Sequence, residues 1–254
     1  MNREIKLEGL KVYVIKRPYD FYSDNESVRY LMTEMFEMKL RGYRSHYNYG
    51  VLPCGDLDFI SDHIMITKFI DGRERVLSAF RCVKYSACKD FRIPFPGLKL
   101  ITSCVQNNRY EFYERTNEWI QMALNYGDIG FSSSWTMDRD IMTKKELIAI
   151  KQISLDLFVL YYSKNVSNVL AQASIKYGVP KLHEQMGFEF LKNDSGEKLG
   201  ELSISSYFEV PIYVMHLTNN QWSNEYLDKA KASQSLWDGR TEISKDSEDL
   251  KIAV

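Results

Sequence analysis

Three carboxylates that lie close together are the first residues in this chain whose types and spacing could do chemistry. Asp56, Asp58 and Asp62 stand just before a predicted strand and just after 43–53, an aromatic, Gly- and Asn-rich stretch with no clear period. Carboxylates at the end of such a loop can bind a cationic group or relay a proton. The alternative is structural, because Gly55-Asp56 is typical of a turn and the other two aspartates could cap or solvate the strand start.

Arg81 is the next candidate, because it lies between Phe80 and Cys82 on a predicted strand that is rich in apolar residues. A buried arginine needs a carboxylate partner, and one of the three aspartates would serve. The alternative is that strand alternation turns this side chain toward solvent.

A third candidate is the start of a predicted helix at Thr143, which is followed by Lys144 and Lys145 and preceded by Arg139. Helix N-termini attract phosphate through their unpaired N–H groups and the helix dipole, and neighbouring cations add to this. Thr143 and Glu146 also have the spacing of a capping box, which explains both residues without any ligand.

The elements that must position these residues follow from apolar periodicity and turn signals. The pattern predicts a strand at 9–16, a helix capped by Ser23 or Asp24 that ends at Gly42, and a hairpin of strands 63–70 and 76–85 joined by Asp71-Gly72. Prolines and a glycine predict irregular structure at 89–103. The remaining predicted elements are a helix at 108–126, a strand at 128–137, a helix at 143–164, a strand at 166–173, a helix at 180–186, and strands at 187–191 and 207–217.

This order, a hairpin followed by a strand–helix–strand crossover, predicts an α/β (α+β) fold with a mixed sheet and helices on both faces. We expect one domain over 1–218 and a polar C-terminal extension over 219–254. The extension is predicted to hold one helix near 222–233 and to be frayed beyond Gly239.

Composition limits the function classes. The 254 residues are 44% apolar and carry 33 Lys and Arg against 34 Asp and Glu, a net charge of -1. This balance disfavours nucleic-acid binding, which depends on an excess of cations. The four cysteines have no metal-binding spacing and are expected to be free thiols. A polar start and the lack of a long apolar run predict a cytoplasmic protein with no transmembrane segment, and the cysteine spacing predicts no metal site.

Four short motifs occur in a fixed order, and each is weak alone. They are Glu34-Met-Phe-Glu-Met-Lys-Leu-Arg-Gly-Tyr43, Gly55-Asp-Leu-Asp-Phe-Ile-Ser-Asp62, Ala79-Phe-Arg81 and Leu182-His-Glu-Gln-Met-Gly-Phe188. With the order of elements they resemble the GNAT superfamily of N-acyltransferases, and more narrowly the acyl-homoserine-lactone synthases and the N-acyl amino acid synthases. The resemblance spans roughly residues 10 to 215 and implies a three-layer fold with a splayed sheet of roughly seven strands.

Two departures from these families bear on the substrates. The lactone synthases carry a Glu and an Arg on the strand aligned with Phe131-Ser-Ser-Ser-Trp135, and this chain has neither there. The resemblance therefore gives little support for S-adenosylmethionine as the acceptor. The phosphate-loop signature of the superfamily is also missing, because 137–145 contains no glycine. The usual kind of coenzyme A binding therefore loses support and an acyl carrier protein gains some, and both donors stay open.

The resemblance assigns a role to each catalytic candidate. Asp56 and Asp58 would manage the acceptor amine, and Arg81 would hold them. His183 would protonate the leaving thiolate in place of the tyrosine of many relatives, with Tyr177 as a nearby substitute donor. The alternative is that His183 is a surface histidine on a short helix.

The implied reaction is transfer of an acyl group, long-chain by expectation, from a phosphopantetheine thioester (acyl carrier protein or acyl-CoA) to a small amine such as an amino acid. Its product would be lipidic. The alternatives are an acetyl-CoA-dependent acetyltransferase and a non-catalytic module that binds acyl groups or a carrier protein. The residues implied to lie near the pantetheine and its phosphate are Ser133, Ser134, Trp135, Arg139, Thr143, Lys144 and Lys145. Small residues in a central strand could instead serve only packing.

Overall fold

The computed structural model describes residues 8–44, 54–104, 109–203 and 211–245. They form a mixed α/β fold, as predicted, and divide into two compact units. The first unit lies within 1–81, 134–160 and 230–254, and the second is formed by 82–133 and 161–229. Among the described residues, no helix is both long enough and apolar enough to cross a membrane.

The described residues contain nine strands rather than roughly seven, and the surplus consists of very short ones. The strands are β1 (Leu10–Lys16), β2 (Asp62–Ile70), β3 (Arg73–Lys84), β4 (Ile129–Met137), β5 (Asn168–Ser174), β6 (Glu189–Phe190), β7 (Leu202–Ser203), β8 (Pro211–Leu217) and β9 (Thr241–Ile243).

Helices cover most of the remaining described chain. They are α1 (Glu26–Arg44), α2 (Asp56–Ile60), α3 (Tyr85–Asp90), α4 (Pro96–Thr102), α5 (Arg109–Ala123), α6 (Lys144–Asn165), α7 (Val179–Met186), α8 (Asn224–Ala230) and α9 (Gln234–Asp238). Short 3-10 turns occupy Pro18–Asp20, Ile175–Tyr177 and Lys231–Ser233.

In the first unit the strand order is β9-β1-β2-β3, with β1 antiparallel to β2 and parallel to β9. The predicted Asp71-Gly72 turn joins β2 to β3, and both residues have positive φ, 51° and 81°. This is the two-residue geometry that matches the twist of a hairpin. The methionine-rich face of α1 packs on this sheet and forms a core with Tyr13, Ile15 and Met65.

In the second unit the order is β4-β5-β8-β6, and β7 also pairs with β8. β4 and β5 are parallel, in register from Ile129–Asn168 to Ser132–Ala171. The ladder ends there, although β4 continues to Met137 and β5 to Ser174. Ser134 in β4 has a left-handed φ of 60°. The sheet is therefore mixed, as the resemblance implied, and the β4–β5 register is shorter than either strand.

The segment 89–103 was wrongly predicted to be irregular. It contains the end of α3 and all of α4, in which Pro96 occupies the first turn. A proline there costs no hydrogen bond and its fixed φ suits a helix, so this proline starts the helix that it was expected to prevent.

Both predicted ends of α1 also need correction. The backbone N–H of Val28 donates to Oδ1 of Asn25 (3.0 Å), so Asn25 caps the helix rather than Ser23 or Asp24. α1 does not stop at Gly42 but runs to Arg44. Gly42 serves close packing instead, because a Cβ there would lie 2.8 Å from Cγ2 of Thr136.

The C-terminal extension is more ordered than predicted. The helix expected near 222–233 is divided into α8 and a 3-10 turn, and α9 follows it. The chain beyond Gly239 is not frayed at once, because β9 pairs with β1 at Tyr13–Thr241, Val14–Glu242 and Ile15–Ile243. The domain boundary at 218 stays a prediction. Most of the loop expected at 43–53 and the start of the strand expected at 207–217 fall outside the described residues.

Candidate functional site

Asp58 is the centre of a buried ionic network in the first unit. Its Oδ1 accepts a hydrogen bond from Nζ of Lys39 (3.0 Å) and lies 2.8 Å from a guanidinium nitrogen of Arg81. Its Oδ2 accepts from the backbone N–H of Gly55 (3.0 Å), because Gly55 caps α2 and the third residue of a helix can reach back to its cap. The Asp58 carboxylate is thus fully engaged, and Asp58 and Lys39 are only 2% and 1% exposed.

Charge balance decides the ionisation of this network. Burial alone would raise the pKa of Asp58, but the cations of Lys39 and Arg81 outweigh burial and hold that pKa below its ordinary value. The pKa of Lys39 is lowered, because burial has a larger effect on it than the attraction of Asp58. Asp58 is therefore ionised at neutral pH and is a weak base.

His63 completes this cluster from β2. Its Nε2 lies 2.6 Å from the backbone carbonyl oxygen of Asp58, and the imidazole is fully buried. Burial lowers its pKa to about 3, so the ring is neutral. A neutral ring that donates from Nε2 leaves Nδ1 as an acceptor, and Nδ1 has no hydrogen-bond partner among the described residues. His63 therefore fixes the main chain of α2 rather than supplying charge.

This geometry separates the three aspartates. Asp56, the first residue of α2, is exposed, whereas Asp58 and Asp62 are buried. Gly55 is the N-cap of α2 and Asp56 its first residue, so these two residues do not form the simple turn of the structural alternative. Arg81 pairs with Asp58, so the paired alternative for this arginine is correct and the solvent-facing one is wrong.

Lys39 and His63 were missed by sequence reasoning. Lys39 follows Leu31 and Met35 at four-residue spacing on the apolar face of α1, and a lysine on such a stripe was the available signal. For His63 the sequence offers only strand alternation, which does not distinguish a site histidine from a core histidine.

The predicted cofactor residues of β4 differ in exposure. Ser133 and Ser134 are partly buried, and Trp135 is 37% exposed. The indole Nε1 of Trp135 lies 3.4 Å from Oγ of Ser78, which also accepts a hydrogen bond from Oγ of Ser154 (2.8 Å). These contacts fix the indole within the first unit.

The start of α6 is a complete capping box. The N–H and hydroxyl of Thr143 donate to Oε2 of Glu146 (2.9 and 2.8 Å), and the Glu146 N–H donates to the Thr143 hydroxyl oxygen (3.3 Å). Arg139, Lys144 and Lys145 are exposed. The capping alternative is confirmed, and a phosphate at this helix end stays a prediction.

His183, in the second unit, is not a surface residue, so the surface alternative is wrong. It is buried and stacks on Phe188 with ring centroids 4.5 Å apart. Burial lowers its pKa to about 4, so it carries no imidazolium proton at neutral pH. Tyr177, by contrast, is 46% exposed in the 3-10 turn that follows β5.

No group of three or more His, Cys, Asp or Glu side chains that could hold a metal occurs in the part of the chain that the structure describes. The four cysteines are free thiols; Cys54 is exposed and the others are buried.

Known structures similar to this chain are acyltransferases. Two structures of BjaI, a CoA-dependent acyl-homoserine lactone synthase, match it at 12% identity over 96% of each chain, with TM-scores of 0.50 (with SAM and isopentyl-CoA) and 0.51 (with MTA). FeeM, an N-acyl amino acid synthase from uncultured soil microbes, matches at 8% identity over 78% of this chain and 89% of its own, with a TM-score of 0.40. No protein-family model and no curated protein sequence matches. At such identity the likeness shows the fold alone: the chain has the GNAT-like fold of the lactone synthase, as the resemblance implied.

Proposed function

We propose that this protein is an N-acyltransferase that moves an acyl group from a phosphopantetheine thioester to the amine of a small acceptor, such as an amino acid. The observation that carries the proposal is the end of the β4–β5 ladder at Ser132–Ala171, after which both strands continue. Since the fold is that of a CoA-dependent synthase, an acyl-thioester substrate agrees with this short register.

The edge of β5 beyond Ala171 suits an extended ligand. From Gln172 to Ser174 this strand remains paired with β8 on one side, while its register with β4 has ended. Pantetheine is an extended chain with two amides, and such a chain can add to a strand edge through backbone hydrogen bonds. The thioester would then be held by the rigid central strand of the second unit.

The reaction forms one C–N bond and breaks one C–S bond. The neutral amine attacks the thioester carbonyl, the thiolate leaves, and the amine loses a proton while the thiolate gains one. We assign the proton donor to Tyr177, which is exposed only three residues after Ser174, and not to the buried, neutral His183.

The aspartates take different roles in this proposal. Asp58 already binds Lys39, Arg81 and the Gly55 N–H, so it acts as a positioning residue and not as the base. Asp56 is the exposed carboxylate of the pair and is the candidate to bind the acceptor ammonium group.

The proposed acyl group is long-chain, and its carrier is CoA or an acyl carrier protein. Two observations point in opposite directions. The synthase that shares this fold is CoA-dependent, whereas the capping box at α6 already engages the Thr143 N–H that would meet the pyrophosphate. The test must therefore include both donors.

The test measures thiol release from acetyl-CoA, a long-chain acyl-CoA and a long-chain acyl carrier protein, each with and without a mixture of amino acids. We expect release from a long-chain donor that requires the amino acids, with an N-acyl product seen by mass spectrometry. Thiol release at the same rate with and without the amino acids, or binding of the donor without any turnover, would contradict the proposal. Preference for acetyl-CoA would establish the acetyltransferase alternative.

Tyr177→Phe provides the residue-level test. It should lower kcat about 10-fold or more, because a positioned general acid contributes at least that much. Tyr126→Phe is the matched control, since Tyr126 is similarly exposed in the same unit and has no assigned role. Equal kcat values for the two variants would remove Tyr177 from the mechanism.

A further inference from the structure

The beginning of α6, in the first unit, has an exposed side that is rich in lysine. From 153 to 160 every residue of this helix is buried, so its exposure is confined to the turns before that point. The exposed residues on one side of those turns are Lys144, Lys145, Ile148, Lys151 and Gln152. This group is called the basic face of α6 below.

Ile148 lies at the centre of the basic face. At about 100° of rotation per helical residue, Lys144 and Lys151 lie within about 60° of Ile148 on one side, and Lys145 and Gln152 lie within about 60° on the other. Ile148 is 54% exposed. An aliphatic side chain is therefore surrounded by cationic groups that also face the solvent.

The positive charge of this face is not balanced within the helix. Glu146 is the only acidic residue in 144–152, and it lies about 160° around the helix from Ile148. Its carboxylate instead accepts from the Thr143 hydroxyl and lies 3.7 Å from Nζ of Lys68. The three lysines of the basic face form no ion pair with any residue that the structure describes.

Ile148 is not needed for the core of the first unit. The other side of the same turns supplies the core contacts, because Ala149 and Ile150 line a cavity together with Leu10 and Leu77 of the sheet. A single exposed apolar residue is common on protein surfaces and carries no meaning alone. What distinguishes Ile148 is its position among three unpaired lysines.

We propose that the basic face of α6 binds the surface of an anionic phospholipid membrane, with Ile148 between the headgroups and the lysine ammonium groups at the lipid phosphates. Lysine suits this position because its apolar stem can lie along the hydrocarbon while its charge stays in water. An anionic bilayer attracts each nearby lysine, so three of them give weak, reversible binding. The proposal does not depend on the proposed acyl transfer.

The residue types favour a lipid surface over an acidic protein. Protein interfaces are enriched in aromatic residues and arginine and are depleted in lysine. The basic face contains neither an aromatic residue nor an arginine. A soluble phosphate would be bound by the lysines alone and would gain nothing from Ile148. Only a surface with both phosphates and hydrocarbon uses every part of this face.

The first test is co-sedimentation with vesicles of pure phosphatidylcholine and of an equal mixture of phosphatidylcholine and phosphatidylglycerol. We expect binding to the mixed vesicles only, and this binding should weaken as salt is added, because salt screens the charges. Combining Lys144→Gln, Lys145→Gln and Lys151→Gln should weaken it about 100-fold, since each lysine at an anionic surface contributes about 5-fold. Absence of binding to the mixed vesicles overturns the proposal.

The matched control combines Lys89→Gln, Lys99→Gln and Lys181→Gln. These lysines are also exposed, but they lie on three different helices, α3, α4 and α7. The control removes the same charge without changing the basic face, so it should leave vesicle binding within about 2-fold of the wild type. Equal weakening by the two triple variants would mean that only the net charge matters, and it would overturn the proposal.

Ile148→Ser tests the lipid assignment itself. It keeps every charge and removes the apolar centre, so it should weaken vesicle binding about 5-fold or more. Its binding of inorganic pyrophosphate, followed by NMR titration, should equal that of the wild type. Vesicle binding that does not change in Ile148→Ser would show that no side chain enters the bilayer and would contradict the proposal.

A final arm titrates an acidic carrier protein without vesicles. If that protein binds and the lysine triple variant abolishes its binding, while the mixed vesicles do not bind, the basic face is a protein interface and the membrane proposal is wrong. None of these measurements requires turnover. Vesicle binding that depends on the basic face therefore supports the proposal even if no acyl transfer is found.

Discussion

Two groups of buried polar side-chain atoms, one in each unit, differ in how completely they are paired. In the first unit both oxygens of Asp58 are occupied, by Lys39 and Arg81 on one and by the Gly55 N–H on the other. In the second unit the hydroxyl groups of Thr116 and Ser174 have no partner among the described residues. A polar group whose hydrogen bonds are all made within the protein stabilises the fold, whereas an unpaired group can still bind a ligand. Burial of a polar residue alone therefore does not indicate its role.

The largest change in the free energy of unfolding should come from the fully paired group around Asp58. Asp58→Asn leaves Lys39 and Arg81 without their shared counter-charge, and breaking a buried ion pair in this way costs about 3–5 kcal/mol. Asp56→Asn is the matched control and should change the free energy of unfolding by about 0.5 kcal/mol or less, because Asp56 is exposed. Urea unfolding of both variants measures the difference.

A second substitution sharpens this result. Adding Lys39→Met to Asp58→Asn removes one of the uncompensated cations and should recover part of the lost stability. Equal losses for the two aspartate variants, or no recovery in the double variant, would show that Asp58 is not the charge centre of this network.

The next effect is a loss of stability in acid that comes from two buried histidines, His63 and His183, and from the partly buried His216. Burial lowers the pKa of His63 to about 3 and those of His183 and His216 to about 4. The unfolded chain binds protons near pH 6.5 and the folded chain does not, so stability is complete above that pH and falls as the pH drops toward 4. Each histidine should cost about 2 kcal/mol between pH 7 and pH 5.

His183→Gln tests this, because it removes one of these proton-binding differences. The drop in the free energy of unfolding between pH 7 and pH 5 should shrink by about 2 kcal/mol relative to the wild type. If this drop in the free energy of unfolding were unchanged in the variant, His183 would be protonated in the folded chain. That result would again make His183 a candidate for the general acid.

The smallest effects come from single hydroxyl groups, and they should differ in sign. Thr116→Val removes an unsatisfied group at nearly constant volume and should raise the stability of the ligand-free chain by about 1 kcal/mol. Ser154→Ala breaks the buried hydrogen bond to Ser78 and should lower it by about 1 kcal/mol. A loss of stability in both variants, measured by urea unfolding, would mean that Thr116 is paired after all.

Much of the fold follows from local chemistry in the sequence. Asp71-Gly72 specified the hairpin and Thr143 with Glu146 specified the start of α6, because each signal acts within a few residues. Pro96 was misinterpreted because a proline both ends and begins helices, and only its neighbours in space decide which. The pairing of β9 with β1 joins segments near opposite ends of the chain, so no local sequence pattern predicts it.

The sequence also predicted only part of the candidate site. That Arg81 would pair with an aspartate follows from the cost of burying an unpaired guanidinium group. The spacing of the residues does not predict which aspartate Arg81 pairs with. It also does not predict that Lys39 binds the same carboxylate oxygen, because that depends on how α1 packs. The burial of His183 and its stack on Phe188 were not predicted, because the five-residue spacing between them does not show how the turn that joins them folds.

The short strand β9 also affects how the chain can be shortened. A fragment that ends at residue 218, the predicted domain boundary, would lose β9 and expose the edge of β1 from Tyr13 to Ile15. It would also lose Trp237, which is 2% exposed in the full chain. An uncovered strand edge beside newly exposed apolar surface is a template for intermolecular pairing, so such a fragment should precipitate or form aggregates during expression.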